Sequence, residues 1–562
     1  MGLYTRLARA LFVSIAGVAT IPGAQPAGPA LLTYSEIQEL YREAQPAPAL
    51  QAKLTQLLTT PFVSNRAADD GVTPMRPRLP GLGDSLVVAQ WNIERGLEFD
   101  AIRLALSNPK GFSAFLEDRG SKISLEERAR VLDQVETLKQ ADVIVLNEVD
   151  WGVNRTLFRN VADELAGSLN MNYAYGVEFV EVDPITMGID HSVMAQEVVE
   201  AYAPPGGSHA EAMARAHQIM QPDPANYHGL HGSAILSRYR LSNVRLYPFR
   251  CQGHDWYADE KKRTSDMEKA EGRMSEVVFR EQLIRQVRRG GRMILMADLE
   301  GPGLPFGQVT VVATHLEDVT TPAIRRQQMR ELLGRIQDIR HAVIVAGDMN
   351  TSRHEGLPIG LKQVAREHFG SLKWWAQQAV SDAIKYATPA GWVYEISHST
   401  IGFARSVNDP TERSIPFLGE NPEAKFFTLL QKFRFADGGC FDFRGDAAHA
   451  WHARSGRLAN SNERAPKGFV ATEELERTYG PVGEYKLDWI FVKPPGLTKP
   501  NGRGQSYWFA PQMARTMRRL NHAVPGRISD HSPITAALPL KEPESGGGEQ
   551  AYAVGGSGSG GR

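Results

Sequence analysis

The sequence predicts an α/β or α+β chain, with strands covered by helices. Three observations carry this. Short apolar runs rich in β-branched residues recur along the chain, as in SLVVAQWNIE (85–94), DVIVLNE (142–148), SAILSR (233–238), QVTVVATHL (308–316), AVIVAGDMN (341–350), KLDWIFV (486–492) and SPITAALPL (532–540). Helical stretches fall between them, such as SLEERARVLDQVETLKQ (124–140) and TPAIRRQQMRELLGRIQDI (321–339). The strand runs carry Asn, Asp, Glu and His at or near their ends, where α/β folds place their binding crevices.

Arg6 and Arg9 precede the apolar run Ala10 to Ile21, and small residues follow, which is the layout of a secretory signal peptide over 1–30. The run is too short for a membrane span, which takes roughly 20 residues. No later run is long and apolar enough for a transmembrane segment, so the expected location is secreted or periplasmic. Residues 31–84 read as a helical extension and linker. Thr33 and Glu36 form a capping box that opens a helix with Ile37, Leu40 and Tyr41 on one side. A second helical run spans Leu50 to Leu58, and the polar, Pro- and Gly-rich stretch from Asn65 to Asp84 reads as linker.

The main domain covers 85–541. Insertions near 181–227 and 351–485 are expected to form loops and short helices, except that FFTLLQKFRFADGGCFDF (426–443) reads as core strand. The tail 542–562 is Gly/Ser-rich and reads as disordered. No internal repeat is seen.

Composition bounds function. Formal net charge is -1, from 63 basic and 64 acidic side chains, which excludes a global basic field for gripping nucleic acid but not a local basic groove. The two cysteines, Cys251 and Cys440, exclude a disulfide framework or a CxxC zinc site, and leave open one bridge or two separate thiols.

The chemistry-bearing residues are Asn92 and Glu94, Glu148 and Asp150, His315, Asp348 and Asn350, Asp488 inside KLDWIFV, and Asp530 with His531. A carboxylate buried in a strand needs a partner, and His531 is the available one for Asp488. The ordered set WNIE, NEVD, GSAILSR, ATHL, GDMN, LDWIF and SDHSP resembles the endonuclease/exonuclease/phosphatase superfamily, over roughly 85 to 540. The resemblance implies a deoxyribonuclease-like four-layer sandwich of two packed mixed β-sheets flanked by helices.

It also implies roles. Glu148 matches the principal metal-binding glutamate, with Asn147 in place of the usual Gln before it. Asn92, Glu94 and Asp530 match other metal-site positions. Asp348 and Asn350 match the pair that positions the attacking water and the phosphate. His531 matches the phosphate-contacting histidine, Asp488 its carboxylate partner, and His315 a second active-site histidine. Arg155, Arg238 and Arg240 are candidate phosphate contacts, since guanidinium suits phosphate oxygens. The insertion histidines His191, His209, His217, His228 and His231 fit no standard metal spacing, although His228 or His231 can border the cleft.

Oxygen donors of this kind suit Mg²⁺, with Mn²⁺ as a substitute and Ca²⁺ as an auxiliary ion. The expected activity is metal-dependent phosphodiester hydrolysis, foremost by a nuclease. The alternatives are a lipid-directed phosphodiesterase or phosphatase acting on a phospholipid head group, and a non-catalytic binding module on the same fold. No obligate protein partner is evident.

Overall fold

The computed structural model describes residues 28–182, 187, 210, 223–261, 287–351, 410, 414–415, 419–444, 464–465, 468–469, 471–479, 482–502 and 505–543. The expected signal peptide, nearly all of the Gly/Ser-rich tail and much of both insertions, with His191, His209 and His217, lie outside these residues. No described helix is long and apolar enough to cross a membrane.

In chain order the helices are α1 (Tyr34–Arg42), α2 (Pro48–Thr59), α3 (Arg66–Asp69), α4 (Phe99–Ser107), α5 (Pro109–Asp118), α6 (Leu125–Lys139), α7 (Val161–Leu169), α8 (Pro322–Ile336), α9 (Ala424–Lys432) and α10 (Arg518–Asn521). The strands begin with β1 (Phe62–Ser64), β2 (Arg78–Leu79), β3 (Gly83–Arg95), β4 (Val143–Trp151), β5 (Asn172–Val182), β6 (Leu230–Ser237) and β7 (Arg240–Pro248). They continue with β8 (Val287–Gly290), β9 (Met293–Glu300), β10 (Gln308–His315) and β11 (Ala342–Asp348). Short hairpins follow, β12 (Ser414–Ile415) with β13 (Gly419–Glu420), β14 (Arg464–Ala465) with β15 (Gly468–Phe469), and β16 (Glu473–Tyr479) with β17 (Val482–Tyr485). The last strands are β18 (Asp488–Lys493), β19 (Gln512–Thr516) and β20 (Ile534–Pro539).

Two mixed sheets result. One runs β1-β5-β6-β4-β3-β20-β19, with β2 added to β3 and β8 to β5. The other runs β18-β11-β10-β9-β7. The β3–β4 and β10–β11 pairs are parallel, and their neighbours are antiparallel.

Alternation along each strand builds the layers. Leu86 and Val88 face the inter-sheet core with Val143, Val145, Val309, Val311, Ile344 and Ile490. The intervening Val87 and Ala89 pack under the helices α4 to α7. On the far side Val343, Val345, Trp489 and Phe491 pack under Met329, Leu332, Ile336, Phe426 and Phe427 of α8 and α9. The order helix, sheet, sheet, helix is the expected four-layer sandwich.

Two expectations at the margins change. The stretch 65–84 is not a linker but part of the fold. It holds α3 and β2, and the Met75 and Arg76 N–H groups donate to the Asp142 carboxylate at 2.7 and 2.9 Å. The capping box forms as expected, and α1 and α2 bury Ile37, Leu40, Leu54 and Leu57 in the core of the first sheet. Within 426–443 the chain starts as helix α9 rather than strand, because Phe426, Phe427 and Leu430 fall on one helical face against Trp489 and its neighbours. Cys251 and Cys440 are separate thiols.

The parallel β10–β11 pair depends on Gly347. It has φ of +150°, and an added Cβ there would sit 1.8 Å from the Thr314 carbonyl oxygen. Gly347→Ala is therefore expected to cost about 3 kcal/mol or more. Gly334, on the exposed side of α8, has nothing within 4 Å of such a Cβ, and Gly334→Ala is expected to stabilise by up to about 1 kcal/mol. Denaturant titration of both variants checks the contrast. Equal effects would contradict it.

Candidate active site

The inward-facing rows turn polar at one end of the sandwich. Along β3 the row Leu86, Val88 continues as Gln90 and Asn92. Along β4 the row Val143, Val145 reaches Asn147. On β6 Ile235 is followed by Ser233 and His231. Along β10 the row Val309, Val311, Ala313 ends in His315, and along β11 Ala342, Ile344, Ala346 ends in Asp348. On β18 Asp488 precedes Ile490 and Val492. One alternation thus makes the core and delivers the site.

These side chains tie the two sheets together. Asn147 Oδ1 accepts the Asp348 N–H at 2.8 Å and Gln90 Nε2–H at 3.2 Å. Asn147 Nδ2 donates to Ser233 Oγ at 2.9 Å and to the Thr314 carbonyl at 3.2 Å. Gln90 Nε2 also donates to Asp488 Oδ1 at 2.9 Å. All are buried, so each bond also spares a desolvated polar group.

Asp348 sits at the centre. Its Oδ2 lies 3.5 Å from His315 Nε2, 3.7 Å from His531 Nε2 and 3.2 Å from Asn92 Nδ2, which donates to it. Its Oδ1 accepts the Asn350 N–H at 2.8 Å. The two histidines have opposite surroundings. His531 Nδ1 lies 2.7 Å from Asp488 Oδ2. Burial disfavours its cation, but Asp488, Asp530 and Asp348 overcome this and hold its pKa well above the ordinary value. His315 Nδ1 instead lies 2.7 Å from Arg292 Nη1. Burial and that guanidinium hold its pKa well below the ordinary value. Burial raises the Asp348 carboxyl to about 7, with His531 opposing and Asp488 reinforcing the rise.

Backbone geometry aims the acidic residues. The β3–β4 register shifts between Asn92 and Arg95, and the β4–β6 register shifts between Leu146 and Val149. Glu94, Glu148 and Asn350 all have positive φ, at 46°, 52° and 49°. Such bulges and left-handed residues re-aim side chains at functional sites. Glu148 Oε1 accepts from Asn92 Nδ2 at 3.1 Å, and Glu94 Oε2 accepts the Asp530 N–H at 3.0 Å. The loop before β20 is fastened to β3, since Trp91 Nε1 donates to the His531 carbonyl at 2.8 Å and Ser529 Oγ to the Asn92 carbonyl at 2.8 Å.

Sets of acidic and histidine side chains with metal-holding geometry are present. Asp348, Asp488 and His531 form one, and Glu473, Asp530 and His531 another. Asn350 Oδ1 is buried beside them without a hydrogen-bond partner among the described residues. Hard oxygen donors and an unbonded amide oxygen fit a divalent cation. Asn92 stands between Glu148 and Asp348. Its Oδ1 accepts the Glu94 N–H at 3.1 Å, so its amide nitrogen, not its oxygen, faces Glu148 and Asp348. In that orientation its amide N–H groups hold the Glu148 and Asp348 carboxylates.

The arginines pair with groups other than Asp348 and the two site histidines. Arg155 is 1% exposed and grips Asp150 with two bonds of 2.6 and 2.8 Å and Glu181 with one of 2.6 Å. His231 Nδ1 lies 2.9 Å from Asp150 in the same buried cluster. Arg238 donates to the Leu169 carbonyl at the opposite end of β6, and Arg240 pairs with Asp69 on the surface. Arg155 thus holds two buried carboxylates, Arg238 a backbone carbonyl and Arg240 a surface carboxylate. Residues that the sequence reading missed are Gln90, Glu178, Ser233, Arg292 and Glu473. Gln90 was findable, since it precedes Asn92 by two in the same inward row.

The family model described as Endonuclease/Exonuclease/phosphatase family matches residues 89–531. The chain belongs to this family. Among solved structures it is similar to an endonuclease/exonuclease/phosphatase from Beutenbergia cavernae DSM 12333, at 15% identity over 82% of this chain and 72% of that one, with a TM-score of 0.34. It is also similar to the human Nocturnin catalytic domain with bound sulfate, at 11% identity over 82% and 95% with a TM-score of 0.32. D. rerio TDP2 complexed with single-strand DNA product matches at 12% identity over 81% and 98%, with a TM-score of 0.30. No curated protein matches the sequence. Likenesses this distant speak to neither substrate nor metal.

Two outcomes follow from the geometry. A carboxyl raised to about 7 contributes stability that is complete below the unfolded carboxylate pKa of about 4 and is lost as pH rises through about 7. Without metal, the wild-type melting temperature is expected to fall between about pH 4 and 7 more steeply than that of Asp348→Asn. Parallel slopes in EDTA would contradict the burial of an ionising carboxyl. Arg155→Met leaves Asp150 and Glu181 buried without their shared cation, and is expected to destabilise by ~3–5 kcal/mol. A stable variant with only a raised KM would instead place Arg155 on substrate.

Proposed function

We propose that the chain is a metal-dependent phosphoesterase that hydrolyses a phosphodiester by attack of water, with nucleic acid as its substrate. The observation that carries the reading is Asp348 Oδ2 flanked by His315 Nε2 and His531 Nε2 at 3.5 and 3.7 Å, with opposite protonation pressures on the two rings. A base, a cation and a neutral donor then converge on one point. That is the inventory a phosphodiester needs, with water to be deprotonated and two oxygens to be relieved of charge.

The roles divide by chemistry. Asp348, with a pKa of about 7, is matched to taking a proton from water near neutral pH. His531 presents Nε2–H as a cation to a phosphoryl or leaving oxygen, with Asp488 holding its other nitrogen. His315 presents a second Nε2–H from the opposite side. Asn350 holds its amide against the Leu316 carbonyl, through Nδ2 at 2.8 Å, which turns Oδ1 into the site. Glu148 with Glu94 and Asp530 would hold Mg²⁺, or Mn²⁺ in its place, which when bound supplies charge neutralisation on the phosphoryl oxygens.

The test is hydrolysis of plasmid DNA, RNA, sphingomyelin vesicles and a generic phosphodiester, with Mg²⁺, Mn²⁺ or EDTA. Cleavage of nucleic acid that EDTA abolishes is expected, with kcat lowered about 10²-fold or more in Asp348→Asn and His531→Ala. Lipid turnover with inert nucleic acid would overturn the substrate class. Undiminished activity in either variant would overturn the site.

A further inference from the structure

The two site histidines are held by unlike partners. His531 faces a carboxylate, the usual arrangement for an imidazole that becomes a cation. His315 faces Arg292, whose Nη1 is 2.7 Å from His315 Nδ1. A guanidinium has donors only and is not deprotonated in proteins. Nδ1 of His315 must therefore accept, so the ring carries its proton on Nε2, the atom 3.5 Å from Asp348.

The chain invests structure in this contact. Arg292 is 3% exposed, and its Nη1 also donates to Glu178 Oε2 at 2.8 Å, while Nη2 donates to Asp318 Oδ1 at 3.3 Å. Its guanidinium carbon stands 5.3 Å from the centre of the Phe179 ring. Arg292 follows a Gly290–Gly291 turn between β8 and β9, in which Gly290 has a φ of +128° and no room for a side chain. A Cβ on Gly290 would lie 2.1 Å from the Glu178 carbonyl oxygen, and one on Gly291 would lie 2.2 Å from Gln252 Oε1. The Gly291 N–H donates to that same Glu178 carbonyl at 2.8 Å. Glu178 is fixed in turn by Ser233 Oγ at 2.5 Å, and Ser233 by Asn147. The guanidinium is thereby interposed between Glu178 and His315, whose Nδ1 is 3.8 Å from Glu178 Oε2.

We infer that Arg292 is a positioning residue that locks His315 as a neutral Nε2–H imidazole, so that His315 serves as a fixed hydrogen-bond donor and not as a proton-transferring acid or base. The inference rests on the phosphoesterase reading for its consequence, but the tautomer itself does not. The charged and titratable groups that face His315 are Arg292 from the β8–β9 turn, Glu178 from β5, His231 from β6, Asp318 beyond β10, Asp348 from β11 and His531 from the loop before β20. Among the described residues, Arg292 is the one in hydrogen-bond contact with Nδ1. Its removal exposes Nδ1 to the Glu178 carboxylate, which favours an Nδ1–H and a cationic ring.

The experiment is ¹⁵N–¹H correlation of imidazole nitrogens in the full chain with ¹⁵N-histidine, with the His315 signals identified by their loss in His315→Asn. In wild type, His315 is expected to show an unprotonated Nδ1 and a protonated Nε2 across about pH 5 to 8. Arg292→Lys, which keeps a donor, is expected to preserve that pattern. Arg292→Gln is expected to make His315 titrate within this range, to add an ionisation to the kcat profile and to lower kcat at least tenfold. A protonated Nδ1 in wild type would overturn the inference, as would a His315 pattern in Arg292→Gln identical to that of wild type. If Arg292→Gln does not fold, the wild-type and Arg292→Lys spectra decide. Absence of hydrolysis by wild type on every phosphoester, with the spectra as expected, would remove the phosphoesterase reading and leave the tautomer assignment standing.

Discussion

The structure depends on a seam of hydrogen-bonded polar side chains buried between two apolar sheet faces. Asn147 is its hub, with both amide atoms bonded to β3, β6, β10 and β11 at once. An apolar contact between sheets is tolerant of small slides. A carboxamide whose hydrogen-bond partners come from four strands is not, because a slide leaves desolvated groups unpaired. The seam converts a general hydrophobic sandwich into one register, and that register sets where Asp348, Asp488 and the histidines meet.

Electrostatics then differentiates groups that lie within a few ångströms. Asp348 is buried enough to resist ionisation, His531 is held charged by Asp488, and His315 is held neutral by Arg292. Environments that push neighbouring groups apart assign acid and base roles. The buried Arg155–Asp150–Glu181 cluster beside this centre does a different task, in which charges cancel one another and brace β4 against β5. The N-terminal extension is part of the same construction. Arg289, next to the Gly290–Gly291 turn, donates to the Leu40 carbonyl at the end of α1, which braces the segment that carries Arg292.

Much of this was legible in the sequence, for a physical reason. Strands buried on both faces write themselves as apolar runs, and a polar residue interrupting such a run must have a partner. That is how Asp488 and His531 could be paired before any geometry was known, and the structure sets them 2.7 Å apart. Strand β5 was not legible, because NYAYGVEFVEV carries Glu178 and Glu181, charges that read as surface until their arginine partners are seen. Arg292 escaped for the same reason, since it lies after a glycine turn and its partners are distant in sequence. The orientation of Asn92 was invisible as well, because residue type does not say which amide atom faces the site.

The most direct test of the account is the activity and stability of Asn147→Leu, which removes every hydrogen bond of the hub while keeping a side chain of similar reach. The account predicts a folded but less stable protein whose kcat/KM falls about 10²-fold or more, because Asp348 loses the bond that holds its backbone in register. A folded Asn147→Leu with activity within about twofold of wild type would contradict it, since the site would then be positioned by apolar packing alone.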